Sequence, residues 1–179
     1  MNPTTVAAGS HGLQMSQVKR KVVIGIGELA VSNDVNEAIV THALGSCVAV
    51  CLYDPVAGVG GMIHILLPDS KINLTRAEVQ PAAFADTGIP MLFHAAYERG
   101  AKKARCRVHL VGGAAVSGSP TTAASVGKRN VLAARQILWR NGVLVEKEEV
   151  GGTVARNVTL DVGDGTVQFS NALIGVTVL

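Results

Sequence analysis

The sequence predicts an α+β fold, with mixed β-sheets forming a sandwich and helices packed on an outer face. Three observations lead there. Short runs rich in Val, Ile and Leu recur from Val22 onward and read as strands. Two stretches, Gly88–Ala104 and Ser125–Arg140, place apolar residues at helical spacing. The order is strands, helix, strand, helix, strands, and not the regular βαβ alternation of a parallel sheet.

The elements follow in order. Residues 1–20 are rich in Ser, Thr, Gly, Asn and Gln and show no hydrophobic period, so a disordered tail is expected there, with one domain over 21–179. Val22–Ile26 and Ala38–Thr41 are the first two strand runs. Ser46–Tyr53 is a strong strand, Asp54–Gly58 a turn by composition, and Val59–Leu67 the returning strand, stopped by Pro68. Residues 69–86 read as irregular. In the Gly88–Ala104 helix, Ile89, Leu92, Phe93 and Ala96 share a face, and Pro90 suits a first turn. Val108–Val111 is a short buried strand running into Gly112-Gly113. The second helix carries Val131, Leu132, Ile137 and Leu138 and closes at Asn141-Gly142. Val143–Glu149, Val154–Leu160 and Val167–Phe169 complete the strands.

Composition narrows the function. Aromatic residues make up 3% of the 179 residues, which counts against a stacking platform for RNA or single strands. The net charge of +3 is mild. Basic residues cluster at Lys19–Lys21 and Lys102–Arg107, where a solvated surface and a docking face for an acidic partner are both open readings. Three cysteines without a CxxC do not make a disulfide framework. Cys47 and Cys51 sit on one strand, about 13 Å apart along it, too far for a disulfide. A reducing, cytoplasmic setting is expected. No apolar stretch reaches the ~20 residues of a membrane span, and no signal peptide is apparent.

Chemistry concentrates between Thr41 and Pro68. If Tyr53 pairs with Gly58 across a four-residue turn, Cys47 faces His64 directly, with both side chains on one face of the hairpin. A one-residue slip would separate them. A thiol beside an imidazole has a clear use: the imidazole takes the proton, and the thiolate attacks an acyl carbon. The plainer alternatives are a small core cysteine and a hydrogen-bonded core histidine. No compact Cys/His set suggests a metal site, and Gly112-Gly113 lacks the lysine and spacing of a phosphate loop. His42, His94 and His109 have no comparable setting and are read as structural.

The segment Leu44-Gly45-Ser46-Cys47-Val48, then Leu52-Tyr53-Asp54 and Gly60-Gly61-Met62-Ile63-His64 up to Pro68, resembles the chemoreceptor glutamine deamidase family, CheD. Later segments agree. Val111-Gly112-Gly113-Ala114 is similar to the family's Phe-Gly-Gly-Ala, Val126-Gly127-Lys128-Arg129-Asn130 to its Ile-Gly-x-Arg-Asn, and Gly151–Arg156 to its Gly-Gly-x-x-Gly-Arg. The resemblance runs from about Val22 to Val178. It implies a fold similar to bacterial toxin deamidase domains. It also implies a catalytic Cys47, a catalytic His64 and a third residue at Thr41, whose hydroxyl orients the imidazole. The reaction implied is hydrolysis of glutamine side-chain amides on the cytoplasmic helical region of chemotaxis receptors, needing neither metal nor cofactor, with no nucleic-acid partner and no membrane insertion. The family implies an alternative, a regulatory module that docks and stimulates a CheC-type phosphatase, with the Gly-Gly-Ala region on a partner-facing surface. A cysteine protease is a weaker rival, since no peptide groove is legible, and receptor methylesterase chemistry suits the same nucleophile.

Overall fold

The computed structural model of the chain describes residues 19–116 and 121–179. The expected tail lies outside the described residues as far as residue 18, and Arg20 already belongs to a strand.

Two five-stranded sheets stack face to face. The first has the order β1 (Arg20–Val23), β3 (Glu37–Leu44), β8 (Arg156–Asp161), β9 (Val167–Ser170), β10 (Thr177–Val178). The second has the order β2 (Leu29–Ser32), β5 (Val59–Ile65), β4 (Val48–Asp54), β6 (Arg107–Gly112), β7 (Lys147–Val150). Both are mixed: β1 runs parallel to β3 and β6 parallel to β7, and the remaining pairs are antiparallel. Helices α2 (Ala85–Tyr97) and α3 (Thr121–Arg140) cover the outer face of the second sheet, and a short helix α1 (Leu74–Val79) follows β5.

This stacking explains why the hairpin β4–β5 reads as two continuous apolar runs. Every residue of both strands is buried. Alternate side chains serve two different cores, because successive residues of a strand point to opposite faces. Val48, Val50, Leu52, Ile63 and Ile65 pack toward α2 and α3 with Ile89, Leu92, Val131 and Leu138. Cys47, Ala49, Cys51 and Met62 pack between the sheets with Ile39, Val158, Leu160 and Val167.

The register of this hairpin differs from the sequence expectation. Tyr53 pairs with Gly60, not Gly58, and the ladder extends one pair further to Asp54–Val59. The reason is local. Asp54 Oδ1 accepts from the N–H groups of Val56 (2.9 Å) and Ala57 (3.1 Å), closing the turn inside 55–58. Gly58 takes φ 62° within that turn, a conformation that favours glycine. His64 therefore stands opposite Ala49, and Cys47 is displaced two residues along the same face. A shift of two keeps the face, where a shift of one would have lost it.

Other boundaries move for physical reasons as well. Helix α2 starts at Ala85, three residues before the expected Gly88, because Leu67 and Ala83 tie its start to the end of β5 (Ala85 N–H to Leu67 O, 2.9 Å; Leu66 N–H to Ala83 O, 2.9 Å). Pro90 accordingly lies inside the helix and not in its first turn. The helix ends at Tyr97, not Ala104, and Ala101 N–H closes it onto Ala96 O (3.1 Å). The stretch read as irregular contains α1 and two single 3₁₀ turns. The basic clusters find acidic partners within the chain: Lys19 pairs with Asp161, Arg20 with Asp34 and Glu37, Arg105 with Asp54, and Arg107 with Glu146.

Asp54 is the buried hub of the hairpin turn. Besides Val56 and Ala57, it accepts from Lys102 N–H (2.8 Å) and from Arg105 Nη2 (2.7 Å). Burial pushes its carboxyl up, but the Arg105 guanidinium and the three N–H groups outweigh this and hold it at about 2. Removing one member of a buried pair leaves the other uncompensated. Asp54→Ala is expected to cost about 3 kcal/mol, checked by urea denaturation; a loss below about 1 kcal/mol would show that the turn closes without it.

Candidate active site

The site forms where one end of β3 faces the ends of β4 and β5. Thr41 lies on β3, fully buried, opposite Val158. Its hydroxyl donates to Ile24 O (2.9 Å) and lies 2.7 Å from His64 Nδ1. Since the hydroxyl proton is committed to Ile24, the oxygen accepts from Nδ1–H. This fixes the neutral tautomer of His64 and leaves Nε2 as a bare lone pair. Nε2 is buried and makes no hydrogen bond. The backbone of His64 is held on both sides, by Glu28 O (3.0 Å) and by Gly27 N–H (2.8 Å). Thr41 belongs to one sheet and His64 to the other, so this bond ties the two layers together.

Cys47 stands one residue before β4 and is 7% exposed. The chain reaches it through a break in the β3 ladder between Thr41 and Leu44, where Ala43 adopts φ 57°. A left-handed alanine costs energy, and Asn157 Oδ1 accepts its N–H (3.1 Å). The turn that follows is braced from β6 and α3. Gly113 N–H donates to Cys47 O (2.7 Å) and Ala114 N–H to Gly45 O (2.7 Å). Gly112 has φ 119°, and a Cβ there would lie 2.3 Å from Cys47 O. A Cβ on Gly113 would lie 2.5 Å from Val131 Cγ2, and one on Gly127 2.7 Å from Gly113 O. The Gly-Gly-Ala segment is thus a backbone brace for the cysteine turn. Val111 is fully buried between the sheets.

Asn130 completes the brace, and sequence reasoning gave it no role. It is fully buried on α3, and its side-chain amide donates to Ser46 O (2.9 Å) and Leu66 O (2.9 Å). One carboxamide therefore spans the residue before Cys47 and the second residue after His64. The signal was available: Gly127, Val131, Ala134 and Leu138 make a buried stripe, and an asparagine on that stripe must have partners. The direct Cys47–His64 opposition expected from the hairpin is not found. The two side chains are diagonal neighbours, a separation long side chains still bridge, and no thiol–imidazole hydrogen bond is formed.

Burial dominates the electrostatics. It pushes the Cys47 thiol up to about 11, with Arg76 on α1 pulling it down in part. It pushes the His64 imidazole down to about 4. At neutral pH the resting pair is an uncharged thiol beside an uncharged imidazole. Cys51, fully buried, is pushed up to about 12 by burial alone and behaves as a core residue. All three cysteines are free. His42 and His94 are exposed, whereas His109 is buried with Nδ1 unpartnered. Among the described residues no group of three or more His, Cys, Asp or Glu side chains is placed to hold a metal, and no helix is long and apolar enough to cross a membrane. A cavity of about 240 Å³ between α2 and α3, lined by Ile89, Phe93, Tyr97 and Leu138 among others, includes none of Thr41, Cys47 and His64.

Fold and site define a class first: a two-sheet α+β domain with a buried thiol and a threonine-oriented imidazole at the interface between its sheets. The chain belongs to the CheD family. The family's sequence model, described as CheD chemotactic sensory transduction, matches residues 66–171. That match begins beyond Thr41, Cys47 and His64, but whole-length relatives take them in. A protein of Syntrophus aciditrophicus named probable chemoreceptor glutamine deamidase CheD 1 is 42% identical over 146 residues, 82% of this chain and 91% of its own. A match of that length in 179 residues cannot start later than Asp34. Probable chemoreceptor glutamine deamidases of Solibacter usitatus and Anaeromyxobacter dehalogenans are 43% and 44% identical, over 81% and 82% of this chain and 85% and 91% of theirs. Among solved structures, a hypothetical protein of Bacillus licheniformis aligns with a TM-score of 0.43 at 14% identity, covering 76% of this chain and 61% of its own.

The depressed imidazole has a measurable consequence. The unfolded chain binds a proton at His64 near pH 6.5, and the folded chain only near pH 4. Between those values the unfolded state holds more protons, so stability falls as pH falls through the window. The expected contribution is roughly 3 kcal/mol between pH 7 and pH 4. His109, also pushed down by burial, adds in the same direction. His64→Gln should flatten the slope of unfolding free energy against pH relative to wild type, read by urea denaturation at several pH values. Equal slopes would mean that His64 is not buried neutral.

Proposed function

We propose that the chain is a cytoplasmic chemoreceptor glutamine deamidase, a hydrolase that converts protein-bound glutamine side chains to glutamate. Cys47 is the nucleophile, His64 its base and acid, and Thr41 the residue that orients the imidazole. The observation that carries this reading is the Thr41–His64 bond, which directs the imidazole proton to Nδ1 and leaves the Nε2 lone pair open on the face that bears Cys47. The family membership and the names of the relatives support the same reaction.

The steps balance without a further reactant than water. His64 Nε2 takes the thiol proton, and the Cys47 thiolate attacks the carboxamide carbon. The C–N bond breaks as the imidazolium hands its proton to the departing amine, releasing ammonia and leaving a glutamyl thioester. His64 then takes a proton from water, whose oxygen attacks the thioester carbon; the thiolate leaves and recovers the proton. Thr41 holds the ring but carries no charge, so it orients without stabilising the imidazolium as an aspartate would. Each turnover replaces a neutral amide on the receptor by a carboxylate, and that added charge is what tunes signalling.

The rim supports the same substrate class. Helix α1 carries Arg76 and exposes Leu74 and Val79, apolar side chains that suit the helical cytoplasmic region of a receptor. A separate surface, with Leu132 and Trp139 on α3 and Leu144 just beyond it exposed, favours a second role in docking a CheC-type phosphatase.

Incubating a receptor cytoplasmic fragment with wild-type protein should add about 1 Da per modified glutamine as NH₂ is replaced by OH, read by mass spectrometry. Cys47→Ala should give no shift while remaining folded. Turnover by Cys47→Ala would remove Cys47 as nucleophile. Thr41→Val should lower kcat by about 10- to 100-fold, less than loss of a charged orienting residue, while Thr41→Ser should retain most of it. Equal activity in Thr41→Val and wild type would reduce Thr41 to a structural residue.

A further inference from the structure

Burial leaves the proposed reaction with an electrostatic problem. Moving a proton from Cys47 to His64 creates two charges where a thiol 7% exposed and an imidazole 2% exposed now sit. Hydrogen bonding by Thr41 orients the imidazole but brings no charge to the thiolate. The imidazolium offsets the thiolate only in part, and a second, permanent cation near the sulfur lowers the cost further.

Arg76 is placed to supply it. It lies in the middle of α1, half-buried, with its N–H capped by Asn73 Oδ1 (3.0 Å). Its guanidinium donates through Nε (3.2 Å) and Nη2 (2.9 Å) to Gln80 Oε1. Gln80 Nε2 in turn donates to Ile26 O (2.8 Å). Ile26 lies between Ile24, whose carbonyl takes the Thr41 hydroxyl proton, and Gly27, whose N–H holds His64 O. Packing at that point is tight, since a Cβ on Gly27 would lie 2.5 Å from Gln80 Nε2. One short segment, residues 24–28, therefore anchors Thr41, His64 and the tether of Arg76 together.

The chemistry of the tether matters. Gln80 is a neutral amide, so it fixes the guanidinium without cancelling its charge. Among the described residues Arg76 makes no ion pair, whereas Arg20, Arg105, Arg107, Arg135 and Arg156 each face a carboxylate. Among the charged groups of the described residues, Arg76 on α1 acts on the Cys47 thiol, with His64 on the same face of β5 and the neutral Cys51 further along β4.

We propose that Arg76, held by Gln80, is the cation that stabilises the Cys47 thiolate when His64 takes its proton. This rests on the reading of Cys47 as nucleophile. Arg76 acts through Cys47 and is a positioning charge, not a group that itself reacts.

The test follows the rate of Cys47 alkylation by iodoacetamide against pH, with peptide mapping to separate Cys47 from Cys106, together with kcat and KM on a receptor fragment. Arg76→Gln should raise the pH midpoint of Cys47 alkylation by about one unit, the size expected for loss of a neighbouring cation. It should lower kcat about tenfold and leave Tm unchanged. Arg76→Lys, which keeps the charge, should restore most of the midpoint and most of kcat. An unchanged midpoint and kcat in Arg76→Gln would overturn the inference. So would a change confined to KM, which would make Arg76 a substrate contact, and so would Arg76→Lys behaving like Arg76→Gln. Cys47→Ala separates the two levels: if it still deamidates the receptor, the underlying reading fails, and if it is dead while Arg76→Gln is wild-type, only the role of Arg76 fails.

Discussion

The burial of the β4–β5 hairpin on both faces is the constraint on which the rest depends. One set of its side chains closes the core against the helices, and the alternate set closes the core between the sheets. Cys47 and His64 belong to the second set, so the candidate site is part of the packed interior and not a cleft laid over it. That is why its parts come from so far apart in the chain. Thr41 must reach across from the other sheet, Asn130 must reach in from α3, and the glycines at the end of β6 must let the backbone come close to Cys47 O. A loop-borne site would need none of these. Here the precision of the site and the stability of the sandwich are the same contacts, which places the site on rigid elements.

The same burial sets the resting chemistry. A low-dielectric interior disfavours every charged form, so thiol and imidazole are both held neutral, and their ordinary values move apart instead of together. Such a pair cannot work as a standing ion pair. Under the proposed mechanism it transfers a proton as the substrate arrives, with the tautomer already set by the bond to Thr41. Geometry is arranged beforehand and charge is created only in the reaction, which is where electrostatic stabilisation acts on rate.

Much of this was legible in the sequence, for identifiable reasons. Ser46–Tyr53 and Val59–Leu67 stood out because strands buried on both faces carry no polar interruptions. That Cys47 and His64 share a face was also legible, although the register was not, because Asp54 draws the turn tight around 55–58 and the resulting shift was two residues. Two mixed sheets with helices on one side followed from the element order. The sheet order did not, since nothing local in Leu29–Ser32 or Thr177–Val178 says which neighbour each will join. Asn130 was legible in principle, as a polar residue on an apolar helical stripe. Arg76 was not. It belongs to a six-residue helix in a stretch without periodicity, and its relation to Cys47 exists only once α1 folds back over residues 24–28.

A sulfur kept protonated is also a poor target for oxidants. Peroxide and disulfides react with the thiolate, and the neutral form is slow. Cys47 at rest, 7% exposed and protonated, is therefore shielded from sulfenic acid formation by the same desolvation that makes its activation demanding. Cys51, four residues further along the chain, is shielded more completely. The interior placement of Cys47 thus gives the protein a durable sulfur, slow at rest toward oxidants that pass by.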